Sequence, residues 1–342
     1  MNKVNNKDIN FDYTRPLLIA EISGNHMGAR ERFLKLVESA CKNGADLVKI
    51  QTYEPIDITL NSKDKRFKIK KGLWKDNFLW DLYKRAHTPF KWHEAAFKIA
   101  KKYKKQIFSS PFSKRGVDLL EKLNVKVYKI ASFEITDMKL INYIASKKKP
   151  IIISTGMASI KEIKSAIREI NKFHDKIVIL HCVSEYPTKL EDINLKRISY
   201  LKKIFKKYKI GLSDHTDNIY SSIAAHSYGI AVIEKHFNLD KKKTSDSDFS
   251  ITPHQLSELS KVIKNLSISK LKTKNKNGNL LKLRRSIFSS KDINKNELIN
   301  KNNIETFRPK IGVCASKYFE IIGKKAKKNI KKNSPIFFKD LS

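Results

Sequence analysis

PIIISTGMASIKEIKSAIREINKFHDKIVILHC, residues 150–182, decides the fold. It opens on a short apolar run, IIIS, tipped by Ser154, and closes on a second, IVILHC, tipped by Cys182. Between them, residues 160–173 repeat apolar side chains at helical spacing, with Lys and Glu in the gaps. An apolar strand with a polar tip, an amphipathic helix and another such strand make a βαβ unit with parallel strands.

The same rhythm extends in both directions. LLIAE ends at Glu21, LVKIQ at Gln51, IFSS at Ser110 and VYKIAS at Ser132; downstream, IGLSDH ends at His215 and AVIEKH at His236. Helical periodicity covers 31–42, 92–104, 114–123, 195–208 and 253–266. Roughly eight strand–helix alternations predict a closed (β/α)8 TIM barrel over residues 1–266 rather than an open sheet. Such barrels gather their chemistry at the carboxyl ends of the strands, so the polar tips become one candidate site.

One connection breaks the rhythm. Residues 53–93 form a long insertion rich in aromatics, among them Phe67, Trp74, Phe78, Trp80, Tyr83, Phe90 and Trp92. It reads either as an extra helix covering the barrel or as a lid or substrate wall. Downstream, the Lys/Asn-rich stretch 267–283 reads as a linker. Residues 284–342, with the short runs SIFSS and PIFF, read as a small β-rich domain.

At 342 residues and 40% apolar, the chain has material for a substantial core. No apolar run approaches the roughly 20 residues that span a bilayer, and the opening MNKVNNKDINFDYT lacks a secretion-type apolar core. Cys41, Cys182 and Cys314 show no paired metal-type spacing, so the expectation is a cytoplasmic protein without a disulfide framework. The formal charge of +37 is unusual. Its lysines are spread along the chain without a nucleic-acid module or an aromatic-basic stripe. That favours a solvated basic surface, suited to attracting a phosphorylated substrate, over a nucleic-acid or membrane partner.

Several tips carry chemistry. Lys49 and Lys129 sit within apolar strands, where an ammonium group is costly unless an anion meets it. Ser110, Ser132, Ser154 and Ser213 lie at or near other strand ends, and hydroxyls converging with lysines suit a phosphate or carboxylate. His215 and His236 tip the last two strands, neighbours in a barrel, and two neutral imidazoles there can hold a divalent ion. The alternative is a pair of ordinary histidines. Glu21 and Glu134 directly follow apolar strands and point to proton relay or hydroxyl binding; Glu234 is the less certain third. His181, Cys182 and Cys41 read as packing residues. Gly24 and Gly156 permit close turns beneath a ligand.

These residues lie inside longer words: IAEISGNHMG (19–28), VKIQTY (48–53), FSSPF (108–112), YKIASFEITD (128–137), PIIISTGMAS (150–159), LHCVSEYPT (180–188), IGLSDHT (210–216) and IEKHF (233–237). Together they resemble the sialic acid synthase family. RRSIF (284–288), ETFRP (305–309) and IIGKKA (321–326) resemble that family's C-terminal SAF, or antifreeze-like, domain. The resemblance implies a barrel that condenses phosphoenolpyruvate with an N-acetylated aldose to a nine-carbon 2-keto sugar acid, releasing phosphate. It also implies a homodimer in which each SAF domain serves the partner's site.

Carried over residue by residue, it gives Lys49, Ser110, Lys129, Ser132, Ser154 and Ser213 to phosphoenolpyruvate. It gives His215 and His236 to Mn2+ or Mg2+, and Glu21, Gln51, Tyr186, Asp246 and Arg308 to the sugar, with Glu134 beside the reacting aldehyde. Ser184 joins the substrate set at a position where neuraminate-type relatives carry asparagine. Other departures are TSD (244–246) in place of a Gly-Pro-Asp turn, and RPKIGVCASKYF (308–319), which lacks the usual glycine and His-Pro pair. Residues 71–93, 50–60 and 246–250 resemble the branch whose sugar is a 6-deoxy-altrose with two acetamido groups. The neuraminate and legionaminic branches are the alternative.

Overall fold

The computed structural model describes residues 9, 11, 14–271 and 280–342. It divides into two compact units, 1–270 and 271–342. The first is a closed parallel barrel of eight strands in chain order. The strands are β1 (Leu17–Glu21), β2 (Leu47–Thr52), β3 (Gln106–Pro111), β4 (Tyr128–Ile130), β5 (Ile151–Ser154), β6 (Ile177–Cys182), β7 (Lys209–Asp214) and β8 (Val232–His236). β8 returns to β1 with Glu21 opposite His236, which closes the ring.

The helices are α1 (Arg30–Lys42), α2 (Leu79–Ala86), α3 (His93–Lys102), α4 (Lys114–Lys122), α5 (Met138–Ala145), α6 (Ile160–Asn171), α7 (Lys196–Ile204), α8 (Tyr220–His226) and α9 (Pro253–Leu271). α6 shows how local sequence sets a boundary. The Ser159 hydroxyl accepts from the Glu162 N–H, and the Glu162 carboxylate accepts from the Ser159 N–H, closing a capping box. Ile163, Ala166, Ile167 and Ile170 then turn one face to the barrel, where Ile151, Ile152 and Ile153 of β5 are fully buried. Each such aliphatic side chain contributes roughly 1.5–3 kcal/mol by leaving water.

α9 runs to Leu271, past the end of the 253–266 pattern and into the stretch read as a linker; residues 272–279 of that stretch lie outside the described residues. The second unit pairs β9 (Ser286–Ser289) with β10 (Ile304–Phe307), antiparallel. A short helix, α10 (Tyr318–Ile321), follows, and the unit packs around its own core of Ile287, Ile293, Ile299, Ile304 and Ile336. PIFF is not a ladder strand: Pro335 makes an isolated bridge to Phe288, and Ile336 donates its N–H to Ile287.

Candidate active site

Strand alternation aims every second side chain into the barrel. On β8 that parity selects Glu234 and His236 and sends Lys235 outward. On β7 it selects Ser213, with His215 just beyond, and sends Asp214 outward. The inward residues converge beneath a cavity of about 340 Å3 lined by Lys49, Gln51, Lys129, Ser132, Glu134, Ser154, Tyr186, Ser213, His215, His236 and Asp246, all expected from sequence. Tyr53, Trp74, Cys182, Glu234 and Phe249 line it as well.

The cavity floor is an ionic cluster. Lys49 Nζ lies 2.7 Å from Glu21 Oε2 and 3.6 Å from Glu234 Oε1. Lys129 Nζ lies 3.9 Å from Glu234 Oε1 and donates to Ser154 Oγ at 2.6 Å. Ser213 donates to Glu234 Oε1 at 3.0 Å. Glu234 therefore joins both lysines, and sequence reasoning undervalued it. Its same-parity spacing to His236 was the available signal.

Burial pushes the Glu21 carboxyl up to about 7 against the pull of Lys49. Near neutral pH part of the molecules thus carry a proton there, leaving two ammonium groups facing one carboxylate. Burial opposes charge on both lysines. The carboxylates of Glu21 and Glu234 outweigh it at Lys49, which moves up, whereas Lys129 moves down. Burial likewise opposes ionisation of Glu234, but Lys129 and Lys49 hold it below the ordinary carboxylate range. Glu234 Oε2, Glu134 Oε2 and Ser110 Oγ are buried without a hydrogen-bond partner. Such atoms are exceptions in folded proteins, and those of Glu134 and Glu234 belong to residues that line the cavity.

The two histidines stand together at the tips of β7 and β8, ring centroids 5.2 Å apart. His215 Nδ1 lies 2.8 Å from the Val183 carbonyl, and His236 Nδ1 lies 3.0 Å from Ser23 Oγ. A ring that gives its Nδ1–H to a carbonyl keeps its Nε2 lone pair for a cation. Burial, His215 and the lysines push His236 well below the usual imidazole value, so it is neutral. Burial pulls His215 down, but Cys182 beside it, with Sγ 3.8 Å from Nδ1, carries it above the ordinary value. The pair fits a divalent cation with two imidazole ligands. Among the described residues no group of three or more His, Cys, Asp and Glu is placed to hold a metal, which leaves further positions to water or substrate oxygens.

Tyr186, 4.4 Å from the His215 ring, and Phe249, 4.6 Å from the His236 ring, pack these imidazoles in place. Asp246 Oδ2 accepts the Gly24 N–H at 2.9 Å, and burial pushes its carboxyl up. Gly156 donates its N–H to Ser132 Oγ at 3.1 Å, and a Cβ there would sit 1.9 Å from Ser184 Oγ, so any larger residue would displace the Ser184 hydroxyl.

Four expected residues do not line the cavity. Glu21 is wholly buried against Lys49, Ser110 is buried on β3 opposite Gln51, and Ser184 lies 3.9 Å from Cys182 at the edge. Arg308 is exposed and belongs to the second unit. Cys182, read as simple packing, lines the cavity; His181 does pack, with Nε2 2.7 Å from the Ile193 carbonyl.

A barrel with paired lysines and paired imidazoles at one strand-end cavity defines a site for an anionic substrate beside a divalent cation. A NeuB family profile matches residues 36–275, and a SAF domain profile matches 284–342. The chain belongs to the NeuB family. It is 42% identical over 335 residues to the pseudaminic acid synthase of Helicobacter pylori, covering 95% of this chain and 98% of that protein. It is 36% identical over 332 residues to the N,N'-diacetyllegionaminic acid synthase of Campylobacter jejuni, covering 94% and 99%. Among solved structures, the N-acetylneuraminic acid synthetase of Leptospira borgpetersenii superposes with a TM-score of 0.69 at 26% identity, over 79% of this chain and 92% of that one.

Proposed function

We propose that this chain is a pseudaminic acid synthase, condensing phosphoenolpyruvate with 2,4-diacetamido-2,4,6-trideoxy-L-altrose and releasing phosphate. The observation that carries the reading is the meeting of Lys49, Lys129 and Glu234 with His215 and His236 around one cavity. Lys49, Lys129, Ser132, Ser154 and Ser213 bind the phosphate and carboxylate of phosphoenolpyruvate, with Ser110 at the edge of that set. Gln51, Tyr186 and Asp246 meet the sugar, Ser184 borders it, and Glu21 acts from beneath by setting the charge of Lys49.

In the reaction C3 of phosphoenolpyruvate forms a bond to the aldehyde carbon of the open-chain sugar. The aldehyde oxygen takes a proton, for which Glu134 is placed, because burial pushes its carboxyl up to about 7 against the pull of Lys129. Positive charge develops at C2, water adds there, and the C–O bond to phosphate breaks. The fixed ammonium groups and hydroxyls stabilise the departing phosphate without reorganising. His215 and His236 would hold a divalent cation such as Mn2+ or Mg2+, which supplies Lewis-acid polarisation of a substrate oxygen when bound. Arg308 is proposed to meet the sugar from a second copy of the chain.

The test incubates purified protein with phosphoenolpyruvate and each aldose, with Mn2+ or after chelation, and follows phosphate and product mass. The expected result is metal-dependent turnover of the diacetamido sugar. Turnover of N-acetylmannosamine alone would overturn the assignment.

A further inference from the structure

We propose that an apolar roof built from the 53–93 insertion selects the sugar by its methyl groups; this rests on the function proposed above. Leu79, Leu82, Tyr83 and Ala86 of α2 all line the cavity. Their spacing, i, i+3, i+4 and i+7, is the apolar face of one helix. In a barrel helix that face would cover the strands; here it covers the site. Ile58 and Ile69, from the loops before α2, extend the same surface. Lys84 and Arg85, on the outer face of α2, are exposed.

The roof is fastened over the site. Trp74 donates its indole N–H to the Ser245 carbonyl at 3.0 Å, next to Asp246, and packs against Tyr186 and Phe249 at ring centroid distances of 5.4 and 6.3 Å. The cavity therefore has two chemical ends. Its floor offers ammonium, carboxylate, hydroxyl and imidazole groups; five of the six roof side chains named, Leu79, Leu82, Ala86, Ile58 and Ile69, offer only carbon, and the sixth is Tyr83.

A trideoxy diacetamido hexose presents a C6 methyl and two acetyl methyls, which such carbon can cover. A sugar with a hydroxyl at C6 would bury that group without a partner. Discrimination of this kind is worth about tenfold or more in kcat/KM.

The test compares kcat/KM for the diacetamido aldose and for N-acetylmannosamine, together with KM for phosphoenolpyruvate, in wild type, Leu79→Asn, Ile69→Thr and Lys84→Ala. Leu79 and Ile69 are half-buried on separate segments, and thermal melting verifies that each variant is folded. The expected result is a fall of at least tenfold in the ratio of kcat/KM for the two aldoses in Leu79→Asn and Ile69→Thr, with KM for phosphoenolpyruvate within about twofold and Lys84→Ala unchanged. An unchanged ratio in both folded variants, with wild type still active on the diacetamido sugar, would overturn the roof alone. Wild-type turnover of N-acetylmannosamine alone would overturn the roof and the proposed function together.

Discussion

Glu134 shows at a single residue how burying an acid costs stability. Its side chain is half-buried at the cavity with Oε2 shut off from solvent, and that burial pushes its carboxyl up from 4.5 to about 7. The folded chain then binds the proton more tightly than the unfolded chain, so this residue's contribution to stability falls as pH rises from about 4.5 to 7 and is lowest above 7. Glu134→Gln removes the ionisation. We expect it to be more stable than wild type by roughly 2 kcal/mol at pH 8, to gain little at pH 4, and to lose most activity at both. Urea unfolding at the two pH values measures the first part, and phosphate release the second. Equal stability at pH 8 would refute the buried-acid account. Glu134, Lys49 and Lys129 were legible in the sequence because charge inside or just after an apolar run is costly without a purpose. Glu234 was the less certain third, because its neighbour Lys235 is equally charged and only strand parity separates them. The register of β8 places Glu234 with His236 at the cavity and Lys235 on the outside.

That outer face forms a second buried network at the level of elements. Lys235 Nζ lies 3.1 Å from Asp214 Oδ1, and Thr216, Ser221 and Ser222 donate hydroxyls to the same carboxylate at 2.8, 2.6 and 2.6 Å. Lys235 and Asp214 are both wholly buried, and together they tie β7 to β8 and to the first turn of α8. Burial opposes the Asp214 charge, but Lys235 and the hydroxyls hold it below the usual carboxylate value. Its contribution is thus present at neutral pH and lost only on acidification below the ordinary range. Asp214→Ala leaves a buried ammonium without its counter-charge and should destabilise by roughly 3–5 kcal/mol at pH 7, read by urea unfolding. Asp214→Leu combined with Lys235→Met should recover most of that loss, since no unpaired charge remains. A double variant as unstable as the single would show that the network acts through something other than charge pairing. Elements with strong periodicity, such as α6, were legible. α8, with sequence YSSIAAH, was not, because small and polar residues hold it against this network instead of an apolar stripe. α2 carried a clear apolar face, but periodicity alone does not say whether a helix covers a core or a cavity.

Across the whole molecule, 71 basic residues against 34 acidic ones give a net charge of +37, while the cavity floor pairs two lysines with two glutamates. The two scales act on different quantities. The floor fixes the anion at contact distance, where salt screens little; the surface acts through solvent, over a Debye length of about 10 Å at 0.1 M salt. A field of one sign over the surface raises the local concentration of an anionic substrate and leaves a neutral one untouched. Phosphoenolpyruvate is anionic, and the aldose is neutral. Between 0.05 and 0.5 M potassium chloride, kcat/KM for phosphoenolpyruvate should therefore fall by about three- to tenfold. For the aldose, at saturating phosphoenolpyruvate, it should stay within about twofold, with kcat nearly constant. Steady-state kinetics with each substrate varied in turn supply the measurement. An equal fall for both substrates would place the salt effect on the fold or the floor, and the basic surface would then have no part in gathering substrate.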